Sequence, residues 1–250
     1  MGKTLAMDEP PPLDPARHGL FLDYDGTLVA IAPTPDEALA DKGLRELLAR
    51  MEQRLGGALA IVTGRPVADI DRFLAPLRLT VAGLHGLDLR PSGQPPGHLP
   101  PPSPVLAPAR RAFADFSNRF AGTLVEDKRL SVALHYRQLP SAAEHALALA
   151  SRLVTESSGD LRLQPGKMVV ELLPAGADKG TAIETLAATA PFAGRRPVFV
   201  GDDVTDEAGF RAVNALGGLS VHLGAGPSEA SHRLPDVAAL RRWLARAVAA

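Results

Sequence analysis

An apolar run that ends in two aspartates is the feature of this sequence that most restricts its fold. The run Leu20–Leu22 is followed by a short polar turn that contains Asp23, Asp25, Gly26 and Thr27. This pattern is typical of a buried strand that delivers carboxylates to the carboxyl edge of a parallel sheet, where open α/β sheets bind ligands. Gly26 allows the sharp bend that follows. The pattern favours an α/β fold with a site at this edge, although Asp and Gly also favour ordinary turns.

Both ends of the chain alternate short apolar runs with amphipathic stretches. In the first part, strands are predicted at 19–22, 58–62 and 79–82, with helices at 37–54 and 69–74. The later part adds predicted helices and strands at 178–190, 197–200, 207–214, 219–223 and 235–250. Strands and helices that alternate through short connections predict a parallel sheet with right-handed crossovers.

The middle of the chain differs in composition and in the order of its predicted elements. A stretch rich in proline and glycine, 87–108, is typical of a linker or domain edge, or of a long surface loop. A helix, a hairpin, a second helix and a second hairpin are then predicted, with Ser141 as the cap of the second helix. This order is that of an α+β unit rather than a continuation of the alternating part.

These patterns together predict the domain organisation. The fold class is α/β, with a Rossmann-like parallel-sheet core built from residues 1–86 and 174–250. An inserted α+β cap domain, residues 87–173, is expected to carry substrate specificity. A length of 250 residues suits one large domain or two small ones.

Composition excludes several kinds of protein. The chain has 27 basic and 28 acidic residues, and this balance gives no broad field for nucleic acid. It has no cysteine, which excludes disulfides and thiol chemistry. No apolar run reaches 18 residues, and the first 18 residues resemble neither a signal peptide nor an anchor. We therefore expect a cytoplasmic protein with no nucleic-acid, membrane or obligatory protein partner.

Polar residues end three of the predicted strands. They are Asp23 and Asp25, then Thr63, then Asp202, Asp203 and Asp206. Because parallel strands share one carboxyl edge, we expect these side chains to meet there, together with Lys179 from a helix start. Carboxylates packed this closely repel, and a hard cation such as Mg²⁺ would offset the repulsion. The absence of cysteine and of clustered histidine argues against zinc. The alternative for the last three aspartates is helix N-capping.

Four motifs carry a resemblance to a known superfamily. D-x-D-G-T after the first strand, a threonine that ends the second, a later lysine and G-D-D-x-x-D resemble the haloacid dehalogenase superfamily of aspartate-nucleophile phosphatases. Within it, the chain is similar to the trehalose-6-phosphate phosphatase family over about residues 19 to 245. The narrower similarity rests on G-L-H-G at 83–86, V-E-D-K at 125–128 and H-Y-R at 135–137.

The resemblance implies a role for each core motif. Asp23 would attack phosphorus, and Asp25 would protonate the departing sugar oxygen and then deprotonate water. Thr63 would donate a hydrogen bond to a phosphoryl oxygen, and Lys179 would offset its charge. Mg²⁺ would be held by the Asp23 carboxylate, the Asp25 backbone carbonyl and Asp202.

The resemblance also implies that the cap domain recognises a sugar phosphate, a small-molecule substrate. Glu126, Lys128 and Glu171 would contact sugar hydroxyls. Further candidates for substrate binding are Asp127, His135, Arg137 and, from the core, Arg65. A solvated hairpin turn is the alternative for Glu126, Asp127 and Lys128, since charged residues are common in such turns.

The sequence therefore predicts a Mg²⁺-dependent phosphatase that converts trehalose 6-phosphate to trehalose and phosphate through an aspartyl-phosphate. Two other hypotheses stay open at this point. One is the same chemistry on another sugar phosphate, such as sucrose phosphate or a hexose phosphate. The other is a sugar-phosphate-binding protein without catalysis.

Overall fold

The computed structural model describes residues 9–31, 37–95 and 102–249, and the chain forms two compact units. The core unit combines the described residues of Met1–Gly97 with those of Asp178–Ala250. The cap unit contains the described residues of His98–Ala177. Both ends of the chain therefore contribute to the core unit, and the cap unit lies between them in sequence.

Strands and helices are numbered in chain order over both units. The strands are β1 His18–Leu22, β2 Leu59–Val62, β3 Thr80–Gly83, β4 Asp88–Arg90, β5 Leu124–Asp127, β6 Val132–His135, β7 Leu161–Gly166, β8 Val169–Pro174, β9 Arg196–Gly201, β10 Leu219–Leu223 and β11 His232–Leu234. The helices are α1 Lys42–Arg54, α2 Val67–Leu74, α3 Ala107–Arg119, α4 Ala143–Glu156, α5 Lys179–Ala187, α6 Glu207–Ala215 and α7 Val237–Ala249.

The core unit is built on a seven-stranded sheet with the order β11-β10-β9-β1-β2-β3-β4. The paired strands run parallel except for β4, which is antiparallel to β3. Strand β1 is fully buried and lies between β9 and β2, so that Leu22 is level with Val200 and Ile61. This arrangement confirms the predicted α/β fold, and it places the ends of β1, β2 and β9 side by side.

Apolar side chains from the sheet and the helices form one continuous core. Strand β1 contributes Leu20, Phe21 and Leu22, each with no exposed surface. The Phe21 ring stacks on Phe192, with the ring centroids 4.9 Å apart. Burial of this kind contributes about 1.5–3 kcal/mol for each large apolar side chain. A rigid core of this kind holds the strand ends in fixed positions.

The cap unit has its own sheet and its own core. Its antiparallel sheet has the order β5-β6-β8-β7, in which the predicted hairpins are the pairs β5-β6 and β7-β8. Val132 and Leu134 of β6 are buried in a cluster that includes Phe113 of α3. Between them in sequence, Ala133 is paired with Glu126 on one side and Glu171 on the other. Because side chains alternate along a strand, this row lies on the sheet face opposite the cluster.

The starts of α1 and α4 differ from the prediction for reasons that the structure shows. Helix α1 begins at Lys42 rather than at residue 37, because the Asp41 side chain accepts the backbone N–H of Leu44 at 2.8 Å and caps the helix there. Leu39 fits the apolar spacing of the predicted helix 37–54, but it lies before the cap and is 61% exposed. Ser141 does not cap α4, since a 3₁₀ turn, Pro140–Ala142, leads into that helix.

The division into units also differs from the predicted boundaries of 87 and 173. Strand β4 lies inside the predicted linker, and its pairing with β3 assigns it to the core unit. At the other end, the cap unit extends to Ala177. In the part of the chain that the structure describes, no helix is long and apolar enough to cross a membrane.

Candidate active site

Three carboxylates meet at the carboxyl edge of the core sheet. Asp23 follows β1, while Asp202 and Asp206 follow its neighbour β9. Each of the three offers an oxygen within 4.8 Å of the oxygens of the other two. Parallel strands side by side bring Asp23 to two residues that lie 179 or more positions further along the sequence.

Lys179 is the cation of this cluster. Its side chain is 3% exposed, and its Nζ donates to Asp23 Oδ1 at 2.7 Å and to Asp206 Oδ1 at 2.6 Å. Asp178 places this lysine at the first position of α5, because its side chain accepts the Thr181 N–H at 2.8 Å and caps the helix. With all three carboxylates ionised, one ammonium leaves an excess of two negative charges.

Asp206 bonds to the loop backbone and to Lys179. It has no exposed surface, and its Oδ2 accepts the backbone N–H groups of Asp202 and Asp203 at 2.9 Å each. Its Oδ1 is held by Lys179. With both oxygens already bonded, Asp206 shapes the loop that carries Asp202. The capping hypothesis therefore describes Asp203 and Asp206 well, but it does not account for Asp202.

Burial dominates the electrostatics of the cluster. Burial, followed by the neighbouring Asp206, raises the pKa of Asp202 to about 6. Burial also raises the pKa of Asp23 well above its usual range, against the opposing effect of Lys179. For Lys179, burial acts to lower the pKa, but Asp206 and Asp23 together raise it above its ordinary value. The ammonium therefore stays charged, and a further positive charge beside Asp23 and Asp202 would favour their ionised forms.

A divalent cation fits this donor set. Asp23 Oδ2 and Asp202 are free of the lysine, and carboxylate oxygens are the ligands that Mg²⁺ prefers. A methyl group added at Gly26 would lie 2.1 Å from Asp202 Oδ2, so only a glycine there leaves room for that carboxylate. Gly26 also has a φ of +80°, which glycine adopts without strain.

Asp25 is held by an arginine instead of facing the lysine. Arg65 Nε and Nη2 donate to the two Asp25 oxygens at 2.5 and 2.7 Å. The guanidinium also lies over the Phe73 ring, 5.0 Å from its centroid. The structure thus joins two residues whose predicted roles, proton transfer and substrate binding, are different.

Thr63 ends β2, next to β1, and its side chain is buried. Its Oγ1 accepts the backbone N–H of Arg65 at 3.2 Å, which tightens the turn after the strand. The backbone N–H groups of Leu84 and His85 donate to the carbonyls of Arg65 and Thr63, each at 3.0 Å. Two loops at the sheet edge are therefore joined through their backbones.

The second of these loops is strained. Leu84 and His85 have φ values of +48° and +56°, in the left-handed region that L-residues avoid. The His85 ring is buried against Gly64, where an added methyl group would lie 2.9 Å from Nε2. Strained backbone is concentrated at functional sites, because the rest of the fold must hold it in place.

In the cap unit, the structure brings the predicted residues together in two small clusters. Glu171 is buried, and it accepts Lys128 Nζ at 3.1 Å and the Ser131 hydroxyl at 2.5 Å. Glu126 Oε2 and His135 Nε2 lie 2.8 Å apart on the same sheet.

The remaining two predicted cap residues lie elsewhere. Asp127 accepts Arg110 Nε at 2.9 Å and the Arg129 N–H, also at 2.9 Å, which is typical of a turn. Arg137 is exposed in the turn after β6.

The comparison with known families decides the classification. The family model described as trehalose-phosphatase matches residues 21–238, which include the Asp23 loop, the whole cap unit and the Asp202 loop. The chain belongs to the trehalose-phosphatase family. Membership confirms the predicted resemblance and the predicted enzyme class, a phosphoric monoester hydrolase.

Individual members of the trehalose-phosphatase family are similar over nearly their whole length. A trehalose-6-phosphate phosphatase from Escherichia coli is 37% identical over 241 residues, covering 96% of this chain and 90% of that protein. A probable trehalose-phosphate phosphatase from Sinorhizobium fredii is 41% identical over 229 residues, covering 90% and 86%. The crystal structure of a trehalose-6-phosphate phosphatase related protein superposes with a TM-score of 0.73 at 29% identity, covering 92% and 96%.

Three residues of this trehalose-phosphatase family member were missed as site residues by the sequence reasoning. Thr27 contacts the carboxylate cluster, His85 packs against the Thr63 turn, and Ser131 holds Glu171. Thr27 and His85 lie inside the D-x-D-G-T and G-L-H-G motifs, so the sequence does contain a signal that marks them as candidates. Their contacts depend on side-chain directions that spacing does not supply.

Proposed function

We propose that the chain is a Mg²⁺-dependent phosphatase that hydrolyses trehalose 6-phosphate to trehalose and phosphate. The observation that carries the proposal is the buried cluster in which Asp23 and Asp202 meet beside Lys179. Family membership and the names of the E. coli and S. fredii relatives support trehalose 6-phosphate as the substrate.

The first step forms a covalent intermediate. Asp23 attacks phosphorus through a carboxylate oxygen, while Lys179, bonded to Oδ1, keeps the carboxylate in place. Attack forms the bond from Asp23 to phosphorus and breaks the bond from phosphorus to the sugar oxygen. Asp25 gives that oxygen a proton as it leaves. The products of this step are free trehalose and an aspartyl-phosphate.

The second step reverses these roles. Asp25, now ionised, takes a proton from a water molecule as the water attacks phosphorus of the aspartyl-phosphate. The bond from phosphorus to Asp23 breaks, which releases phosphate and restores both aspartates. Thr63 at the end of β2 and Lys179 supply a hydrogen bond and a positive charge for the phosphoryl oxygens.

Asp23, the Asp25 backbone carbonyl and Asp202 are the groups proposed to hold Mg²⁺. When bound, the cation supplies positive charge that stabilises the phosphoryl group as negative charge develops on it. Asp206 stays outside this set, because its two oxygens are bonded to Lys179 and to backbone N–H groups.

The cap unit is proposed to recognise the sugar. Glu126, Lys128 and Glu171 present charged groups that pair well with hydroxyls, and Ser131 and Lys128 fix the direction of Glu171. Asp127, His135 and Arg137 stay as further candidates on the same unit. Arg65 was predicted to bind substrate, and its pairing with Asp25 favours a different role, the positioning of that carboxylate.

Phosphate release from trehalose 6-phosphate, with Mg²⁺ and with a chelator, tests the proposal. We expect release that needs Mg²⁺ and is lost in Asp23→Asn while the variant keeps its melting temperature. Sucrose phosphate and glucose 6-phosphate are run beside it, and faster turnover of either would replace the proposed substrate. Binding of trehalose 6-phosphate without turnover by the unaltered chain would contradict the enzymatic proposal.

A further inference from the structure

Thr27 lies between the two carboxylates that are proposed to receive the cation. Its side chain has no exposed surface. Its Oγ1 is 3.3 Å from Asp23 Oδ2 and 3.1 Å from Asp202 Oδ1. One hydroxyl therefore contacts both the residue after β1 and the residue after β9, two carboxylates that repel each other.

The oxygens that Thr27 contacts are those left available by the other neighbours. On Asp23, Lys179 bonds to Oδ1, and Thr27 faces Oδ2. On Asp202, a methyl group added at Gly26 would lie 2.1 Å from Oδ2 and 2.6 Å from Oδ1, so Oδ2 is the oxygen nearer to Gly26, and Thr27 faces Oδ1. Each carboxylate is thus fixed on one side by the fold and contacted by the same hydroxyl on the other.

A hydroxyl has a single proton and donates to one acceptor at a time. Thr27 therefore cannot satisfy both carboxylates together, and it leaves at least one charged oxygen in need of another partner. It acts as a spacer of fixed length rather than as a neutralising group. We propose that Thr27 is a positioning residue that sets the separation of Asp23 and Asp202 for a small divalent cation.

The size of the cation gives this inference its distinctive consequence. Mg²⁺ requires ligand oxygens near 2.0–2.1 Å in almost ideal octahedral geometry, whereas Ca²⁺ accepts 2.3–2.6 Å and irregular geometry. Loss of the spacer should weaken Mg²⁺ binding by about 10- to 100-fold, the usual effect of removing a group that orients metal ligands. Ca²⁺ binding should weaken much less, so the preference for Mg²⁺ should fall.

Thr27→Val keeps the branched shape and removes the hydroxyl, while Thr27→Ser keeps the hydroxyl. We would titrate MgCl₂ and CaCl₂ into each variant by calorimetry at pH 7.5, and follow the rise in Tm with each cation. The expected result is a selective loss of Mg²⁺ affinity in Thr27→Val and near-normal affinity in Thr27→Ser. Thr80→Val is the matched control, because Thr80 is a buried β3 threonine whose hydroxyl accepts the Ser92 N–H at 3.0 Å.

The inference rests on the proposed function, and the two fail differently. If the unaltered chain binds Mg²⁺ and Thr27→Val binds it equally well, the inference is wrong and the proposed function stands. An equal loss of Mg²⁺ and Ca²⁺ affinity in Thr27→Val would also contradict a spacer role. If the unaltered chain does not bind Mg²⁺, both are wrong. None of these readouts depends on the choice of sugar phosphate.

Discussion

Arg65 holds Asp25 through two parallel hydrogen bonds, from Nε at 2.5 Å and from Nη2 at 2.7 Å. The guanidinium is fixed in turn by Phe73, whose ring stacks on Tyr24 with 5.8 Å between centroids. A carboxylate held by both of its oxygens has a defined direction. Arg65 therefore fixes the direction of Asp25, the proposed general acid.

The first prediction separates positioning of Asp25 from substrate binding by Arg65. Arg65→Gln should lower kcat for trehalose 6-phosphate by about tenfold or more, since general acid catalysis contributes about 10²–10⁴-fold. The same variant should lose much less activity on p-nitrophenyl phosphate, whose leaving group departs without a proton. Arg65→Lys keeps the charge without the two-pronged geometry. Its kcat for trehalose 6-phosphate should lie between those of Arg65→Gln and the unaltered chain.

Steady-state kinetics on both substrates checks this prediction, with Asp25→Asn as the reference for complete loss of the acid. Equal losses on the two substrates, or a change confined to KM for the sugar phosphate, would favour direct substrate binding by Arg65. That result would restore the role predicted from the sequence.

The second prediction concerns Gly26, where a methyl group would lie 2.1 Å from Asp202 Oδ2. Gly26→Ala should displace Asp202 and weaken Mg²⁺ binding and turnover by at least about tenfold. Gly194→Ala is the matched control. Gly194 has a φ of +78°, close to the +80° of Gly26, and a methyl group added at Gly194 meets nothing within 4 Å.

Both variants should lose about 1–2 kcal/mol of unfolding free energy from the left-handed backbone. Only Gly26→Ala should lose Mg²⁺ affinity, measured by calorimetry beside a thermal melt. A Gly194→Ala variant that lost Mg²⁺ affinity to the same extent would show that backbone strain, and not the contact with Asp202, is responsible.

The third prediction couples Gly64 to His85. An alanine at 64 would place its methyl group 2.9 Å from His85 Nε2, so the ring or the Thr63 turn must move. We expect Gly64→Ala to lower kcat by about tenfold, because small displacements of positioning groups are costly for catalysis. His85→Ala removes the obstacle, so the double variant should lose less than the product of the two single losses.

A double-mutant cycle on kcat/KM measures this coupling, which for contacting residues amounts to about 0.5–3 kcal/mol. Additive losses would mean that the two positions act independently, and that the His85 ring does not limit the turn.

The arrangement of the site was predictable where it follows from topology. Apolar runs that end in Asp23, Thr63 and Asp202 become parallel strands, and parallel strands share an edge. Strand topology alone, without side-chain detail, places residues 179 positions apart at one edge of the sheet. The cap hairpins followed from the turn residues between the predicted strands.

The features that were missed depend on contacts across the sequence. The pairing of Asp25 with Arg65, and the bridge from Thr27 to Asp202, are set by side-chain rotamers that spacing cannot give. Strands β4 and β11 have three residues each, too few to show a period of two. The predicted start of α1 at residue 37 is too early. Leu39 fits the helical spacing, but the Asp41 cap decides where the helix begins.

The last prediction concerns stability against pH and involves His222, a buried residue of β10. Its ring meets Phe210 edge to face, with centroids 6.0 Å apart. Burial, followed by the nearby Arg233, lowers the pKa of His222 below its ordinary 6.5, against weaker opposing effects of Glu207 and Asp206. Because the folded pKa is lowered, the unfolded chain binds this proton more readily than the folded one. The contribution to stability is therefore present above pH 6.5 and is lost as pH falls through the folded value.

His222→Gln cannot take up that proton, so its unfolding free energy should fall less than that of the unaltered chain between pH 7.5 and pH 5. Urea unfolding at half-unit steps of pH, in the presence of a chelator, measures the difference. Other titrating groups, including Asp202 with its pKa of about 6, are common to both proteins and cancel in the comparison. His18, whose pKa burial also lowers, provides a second test of the same reasoning, since His18→Gln should show the same sign. Curves for the His222→Gln variant and the unaltered chain that stay parallel over this range would show that His222 is not the group responsible.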